Sequence, residues 1–358
     1  MKILITGAAG LYGVHLVDEL VKRVDITKVI GIDNFSRNFL FTERFSHKIK
    51  EDKFKVIKGY YKHSDKVIDK VDFDANFVVV DPFIKSPEFH KKFKLIVGDF
   101  QSLTKEDIDN MNVDAIIHLA ASISIPESMI HNHKYFENNE FGTFNFMQTL
   151  IKTKTKPVMI YASSPEVYGN PEYVPMDEKH PMKPRSTYAV TKLAAEKHCR
   201  AMYKWHKYPV IIIRNFNTFG ENQNIWDDAA VVSNFISTAL KGEDLIINDD
   251  GQQTRDFQYV KDAVKAYSLV LGKKDLIGET FNIGTSIQTT ILDLANIIIE
   301  LTGSKSQIVF KGTRPADVRH LHADFSAITK KTGWKPNFTL IDGLKRTIEW
   351  YKVALKIK

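Results

Sequence analysis

The stretch KILITGAAGLYGVHLVDEL, residues 2–20, restricts the possible folds more than any other part of this 358-residue chain. A short β-branched run leads into Gly7, Gly10 and Gly13, and an amphipathic, helix-like run follows at once. Each glycine answers a separate steric demand. Gly7 permits a tight turn, Gly10 lets the backbone come close to a pyrophosphate, and Gly13 allows the helix to pack against the strand. At the helix mouth, where Leu11 and Tyr12 stand, unpaired N–H groups and the helix dipole favour negative charge. With a strand before the glycines and a helix after them, the context that dinucleotide binding requires is present.

The same rhythm recurs downstream. KVIGI, KLIVG, DAIIHLA, PVMIYAS and PVIIIRN read as strands apolar on both faces, separated by amphipathic stretches such as Tyr12–Arg23 and Tyr135–Lys152. This alternation predicts an α/β fold, a doubly wound parallel sheet of Rossmann type, over residues 1–214. Beyond residue 215 the pattern loosens. A smaller C-terminal lobe is expected over 215–358, with some of its segments returning to the sheet. Residues 36–93 lengthen one crossover well past its usual size and read as an ordered insertion. A surface elaboration, a lid and an oligomer contact are all compatible with it.

Composition narrows the function classes. No run approaches the ~18–20 apolar residues that span a bilayer, so no membrane association is expected. MKILITGAAG lacks the features of a signal peptide. A single cysteine, Cys199, excludes an internal disulfide framework and suits a reducing cytoplasm; a packed thiol is the favoured reading. The formal net charge of +7 comes from scattered lysines rather than a basic helix, which argues against nucleic acid and for attraction of a small anion. HNHKYF and RHLHAD space their histidines two apart without a ligand pattern, so no metal is expected.

Asp33 closes the second strand, with Asn34 beside it. A carboxylate there accepts hydrogen bonds from ribose hydroxyls and repels a 2′-phosphate, favouring NAD over NADP, although Arg37 lies nearby. Further on, STYAVTKLAAEKH places Tyr188 and Lys192 one helical turn apart. A free phenol, with pKa about 10, is a poor base at neutral pH. An adjacent ammonium and a cationic nicotinamide stabilise its phenolate, which can then take a hydroxyl proton while the carbinol hydrogen departs as hydride.

TGAAGLYG, GDF near Asp99, HLAA at 118–121, NNEFGTFN at 138–145, SSPEVYG at 163–169 and YAVTK at 188–192, with RNFNTFG, QTRDFQYVKD and RPADVRH beyond them, together resemble the extended short-chain dehydrogenase/reductase family. The closest likeness is to its nucleotide-sugar epimerase/dehydratase branch. The resemblance implies that Ser164, rather than Ser163, hydrogen-bonds the substrate oxygen. It implies that Asp99 and Phe100 flank the adenine, and that Leu119, Ala120, Ala121 and Asn139 line the cofactor cleft. It places Ser124, Asn217, Arg255, Arg314 and Asp317 around the substrate, an activated sugar such as a UDP-, dTDP- or GDP-hexose. His118 is read as structural.

Members of this branch share oxidation at C4 and then part. Glu166 stands where the dehydratase and decarboxylase glutamate stands, whereas Pro165 lacks any acid. RPADVRH resembles 4-epimerases, and VYGNPEYVP resembles UDP-glucuronate decarboxylases. A 4-epimerase is favoured, with a 4,6-dehydratase or a decarboxylase as alternatives. A non-catalytic NAD-binding scaffold and a simple alcohol dehydrogenase stay open as more distant readings. Relatives pair two helices across a dimer, which implies a homodimer through Tyr135–Lys152 and Ser186–Lys204.

Overall fold

The computed structural model describes residues 1–34, 36, 91–224, 230–313 and 317–357. Most of the expected insertion, together with Arg37 and Arg314, lies outside the described residues. Seven strands form one sheet: β1 (Lys2–Thr6), β2 (Lys28–Asp33), β3 (Phe93–Val97), β4 (Ala115–His118), β5 (Val158–Ser163), β6 (Val210–Asn215) and β10 (Thr280–Ile283). Their order is β10-β6-β5-β4-β1-β2-β3, and every pairing is parallel. The order reverses between β1 and β4. At such a switch point the crevice beyond the carboxyl ends of the strands receives a ligand.

Side chains of consecutive strand residues point to opposite faces, and the core divides accordingly. Ile3, Ile5, Ile117, Ile160 and Ile213 pack on one face with α1 (Leu11–Val21) and, from later in the chain, α8 (Val260–Val270). Leu4, Ile116, Met159, Tyr161 and Ile212 pack on the other with α5 (Gly142–Ile151) and α6 (Thr187–His206). Cys199 is buried on this second face, 3.5 Å from Met147 Sδ, as a packed thiol. Between β4 and α5 run α3 (Ile125–Ile130), α4 (Asn132–Tyr135) and a π-helical segment, Phe136–Phe141. The helix α2 (Lys105–Met111) precedes β4.

The later residues add a three-stranded sheet, β11-β9-β7, from β7 (Asn217–Phe219), β9 (Thr254–Tyr259) and β11 (Gln288–Thr290). A parallel pair joins β8 (Leu245–Asn248) to β12 (Ile308–Lys311). The helices α7 (Val231–Lys241), α9 (Ile291–Thr302), α10 (Ser326–Thr332) and α11 (Leu340–Leu355) complete this half. Register matters most at the sheet's carboxyl edge. Thr6 pairs with Ile32 and His118, and Ser163 with Arg214, so the turns after β1, β2, β4 and β5 emerge side by side. Among the described residues no helix is long and apolar enough to cross a membrane.

Candidate active site

The glycine turn has the steric character its sequence demanded. Gly7 sits at φ +74°, where side chains are strained, and a Cβ on it would lie 2.8 Å from the Ala120 nitrogen. A Cβ on Gly13 would lie 2.4 Å from the Gly7 carbonyl oxygen, so α1 presses directly on the turn. Gly10 is different. Its Cβ would meet nothing closer than 3.4 Å, and the residue is exposed. No side chain caps the start of α1 and no acid occupies its first turn, so the helix dipole there is not offset and favours an anion.

Asp33 accepts the Ala9 N–H at 2.9 Å and fastens the end of β2 to the turn. Asn34 donates to Asp99 at 3.1 Å, and Asp99 caps the following short turn by accepting from Gln101 N–H at 2.9 Å. The Phe100 ring is buried against His118 and Phe146, with centroids 4.8 and 5.7 Å away. An open cradle at Gly10, an uncapped helix mouth and an acid at the end of β2 fit a dinucleotide with unmodified ribose hydroxyls, which is NAD.

The loop after β4 is held from two sides. Leu119 N–H donates to the Thr6 carbonyl at 3.1 Å, and Ala120 N–H donates to Thr6 Oγ1 at 3.3 Å. The same Thr6 oxygen lies 2.7 Å from His118 Nδ1, and His118 Nε2 lies 3.0 Å from Thr143 Oγ1, so both ring nitrogens are engaged. Burial, reinforced by the Lys192 charge, drives the His118 pKa down to about 3, so the ring is neutral and structural. Beyond Ala121, Asn139 accepts from Ser122 N–H at 2.7 Å and donates to the Ser122 carbonyl at 2.8 Å. Asn139, buried in the π-helical segment, therefore clamps the loop after β4. Ser124 is buried and caps α3, accepting from Glu127 N–H at 3.2 Å.

The helix α6 starts at Ser186, whose side chain accepts from Ala189 N–H at 3.1 Å and so fixes the turn bearing Tyr188. Tyr188 is 9% exposed and meets the Tyr135 ring edge-on at 6.4 Å. Lys192, 4% exposed, donates from Nζ to the Ala162 carbonyl at 2.5 Å and lies 4.5 Å over the Tyr161 ring. That bond registers the helix against the end of β5. Burial lowers the Lys192 pKa to about 8, against the opposing pull of Cys199 and Glu196.

The two serines after Ala162 have separate engagements. Ser163 donates to Glu196 Oε2 at 2.9 Å, away from any role at the cleft. Ser164 accepts from Glu166 N–H at 3.3 Å as the cap of the turn Pro165–Val167, which leaves its own hydrogen to donate. Glu166 is mostly buried within that turn. In the later half, Asn217 Oδ1 is buried without a partner among the described residues. Arg255 and Asp317, expected to take a pyrophosphate and a ribose, clasp one another at 2.5 Å. Glu196 and Arg214, which the sequence reading passed over, form a fully buried ion pair one turn beyond Lys192. Their signal was an acid at Lys192 + 4 on a face that is otherwise apolar.

The family model for GDP-mannose 4,6 dehydratase matches residues 57–347. The chain belongs to that family. UDP-glucuronic acid decarboxylase 1 of Danio rerio is 32% identical over 363 residues, covering 99% of this chain and 73% of the relative. UDP-N-acetyl-alpha-D-glucosaminuronate decarboxylase of Bacillus cytotoxicus is 31% identical over 362 residues, 98% of each chain. Among solved structures, UDP-glucuronic acid 4-epimerase of Bacillus cereus, in complex with UDP-glucuronic acid and NAD, aligns with a TM-score of 0.80 at 27% identity over 99% of both chains. The nucleotide-sugar epimerase/dehydratase branch that the motifs resembled is therefore this chain's own.

Proposed function

We propose that this protein is an NAD-dependent 4-epimerase of a UDP-hexose, acting through a transient 4-keto sugar. The observation that supports the reading most is the bond from Lys192 to the Ala162 carbonyl, which ties the helix bearing Tyr188 and Lys192 to the end of β5, two residues before Ser164. The turn at Gly7, Gly10 and Gly13, with Asp33 and the loop Leu119–Ala121, holds NAD, which supplies a reversible hydride acceptor. Ser164 donates its hydrogen to O4 of the sugar and orients it. Tyr188, as phenolate, takes the O4 proton and later returns it. Lys192 holds the phenolate's charge in a site from which burial excludes water. Inversion at C4 asks for no further acid, since the same phenol reprotonates O4 after the sugar turns over.

Asn217, Arg255, Asp317 and Arg314, with Ser124, hold the nucleotide diphosphate. Binding requires Arg255 and Asp317 to loosen their clasp, the guanidinium turning to phosphate oxygens and the carboxylate to a ribose diol. A uridine base is supported by the solved epimerase and by both decarboxylases. Decarboxylation is the second reading, favoured by Glu166 in the turn after Ser164 and by the two decarboxylases at 31% and 32% identity.

A homodimer through Tyr135–Lys152 and Ser186–Lys204 is supported by Phe141 in the first segment and Val190 in the second, each 48% exposed. Sedimentation of Val190→Glu as a monomer would test it. A cytoplasmic site of action is supported by the lone thiol of Cys199.

Incubation with a panel of UDP-, dTDP- and GDP-sugars, followed by proton NMR, tests the reaction. Exchange between axial and equatorial H4 is expected. A new methyl doublet would replace the reading with dehydration, and loss of the C6 carbon would replace it with decarboxylation.

A further inference from the structure

The pair Glu196–Arg214 is more elaborate than a fold needs. Both side chains are 0% exposed, and the contact is a two-pronged fork: Arg214 Nη2 to Glu196 Oε1 at 2.5 Å and Nε to Oε2 at 3.0 Å. Arg200 adds a longer contact to Oε1 at 3.4 Å, and Ser163 donates to Oε2 at 2.9 Å. Arg214 donates onward to the Tyr168 hydroxyl at 2.6 Å, and that hydroxyl donates to Asn282 Oδ1 at 2.7 Å. The carboxylate is thus anchored to β5, β6, β10 and the turn after Ser164 at once. Well-packed apolar residues often stabilise a core as well as a buried ion pair does. A function for the charge is the alternative to explore.

The surroundings of Lys192 supply one. Its ammonium is buried over Tyr161 with a single carbonyl as acceptor. The titratable groups facing it are His118 from β4, Tyr161 from β5, and Tyr188, Glu196 and Cys199 from α6. Burial keeps His118 neutral, and it pushes the Tyr161 phenol and the Cys199 thiol up, so these also stay neutral. Apart from Tyr188 itself, that leaves Glu196, one turn along the same face. Burial pushes its carboxyl up, but the bonds from Arg214 and Ser163 outweigh this and hold it below its ordinary value.

We propose that Glu196 is a positioning residue of the active site: fixed by Arg214, its carboxylate keeps the Lys192 ammonium charged, and its grip on Ser163 leaves Ser164 as the hydroxyl offered to substrate. This rests on the reading of Tyr188 and Lys192 as the catalytic pair. The pair shares a proton between two forms, ammonium with phenolate and amine with phenol. A negative charge beside Lys192 favours the first. Each pKa unit that Lys192 loses with Glu196 costs a factor of ~10 in the ratio of the two forms.

Exchange of Glu196 alone strands Arg214 in the interior and endangers the fold. The double variant Glu196→Gln/Arg214→Met removes both charges and is the decisive protein. Phenolate absorbance, measured with NAD bound at pH about 8 and taken as the difference from Tyr188→Phe, reads the Tyr188 ionisation without any turnover. We expect the phenolate-to-phenol ratio to fall in the double variant, by a factor of ~10 for each pKa unit that Lys192 loses. Turnover of the UDP-sugar should fall in step while KM stays within about twofold of wild type. A folded double variant with the wild-type phenolate signal would overturn this inference alone. A wild-type protein showing no Tyr188-dependent phenolate would overturn both this inference and the catalytic reading beneath it.

Discussion

Gly10→Ala and Gly13→Ala are alike on paper and should fail in opposite ways. At Gly13 the new methyl would sit 2.4 Å from the Gly7 oxygen and 2.5 Å from the Ala8 oxygen. Both are backbone atoms, so α1 must withdraw by about 1 Å to restore van der Waals contact. Overpacking costs about 1–3 kcal/mol, and two backbone clashes put this site at the upper end, about 2–3 kcal/mol; the better helix propensity of alanine offsets about 1 kcal/mol. The net loss of about 1–2 kcal/mol should lower the melting temperature of the cofactor-free protein by roughly 1–3 °C. At Gly10 the methyl meets only the Gly7 oxygen, at 3.4 Å. The cofactor-free protein should then melt within about 1 kcal/mol of wild type, the range of an N-cap exchange. The methyl instead fills the space expected for the pyrophosphate. At NAD a hundredfold above Kd the wild type gains about 2.7 kcal/mol from binding, and Gly10→Ala should forfeit nearly all of it. Thermal melts with and without NAD, joined to calorimetric titration, read both effects. Wild-type NAD affinity in Gly10→Ala, or wild-type melting of cofactor-free Gly13→Ala, would refute the assignment of space at this turn.

Ser164→Ala should lower kcat by about 10²–10³, the usual loss for one donor at a developing oxyanion, whereas Ser163→Ala should lose less than about tenfold by slackening Glu196; steady-state kinetics on the preferred sugar compares them. His118 gives a pH effect with a definite sign. Its folded pKa, about 3, lies below the ordinary 6.5, so the unfolded chain binds a proton that the folded chain refuses. Stability should therefore fall as pH drops from about 6.5 toward about 3, by on the order of 4 kcal/mol in all. Urea titrations across that range should show a shallower acid slope in His118→Phe than in wild type; equal slopes would count against a neutral buried ring.

Much of this was legible in the sequence because the determining forces are local. The strands around Ile5, Ile30, Ile117 and Ile212 must be apolar on both faces once helices cover them, so their runs are unbroken. Gly7 and Gly13 announce a tight turn and a close approach, and the i, i+4 spacing of Tyr188 and Lys192 is one turn of any helix. What stayed hidden depends on contacts between distant positions. Eighteen positions separate Glu196 from Arg214, and nothing in either segment names the other. That Ser163 turns its hydroxyl to Glu196 belongs to the same buried cluster. The clasp of Arg255 with Asp317 spans β9 and a segment more than sixty residues later. The entry of β10 into the large sheet follows from its pairing with β6, since TFNI is too short to declare a layer.

The most direct test mixes the NAD-bound protein with its UDP-sugar and follows the absorbance of reduced nicotinamide in a single turnover. Wild-type protein should show a transient rise and decay, and Tyr188→Phe, with NAD still bound, should show a rise slower by about 10²–10⁴. Reduction at near wild-type rate in Tyr188→Phe would contradict the assignment of that phenol as the base.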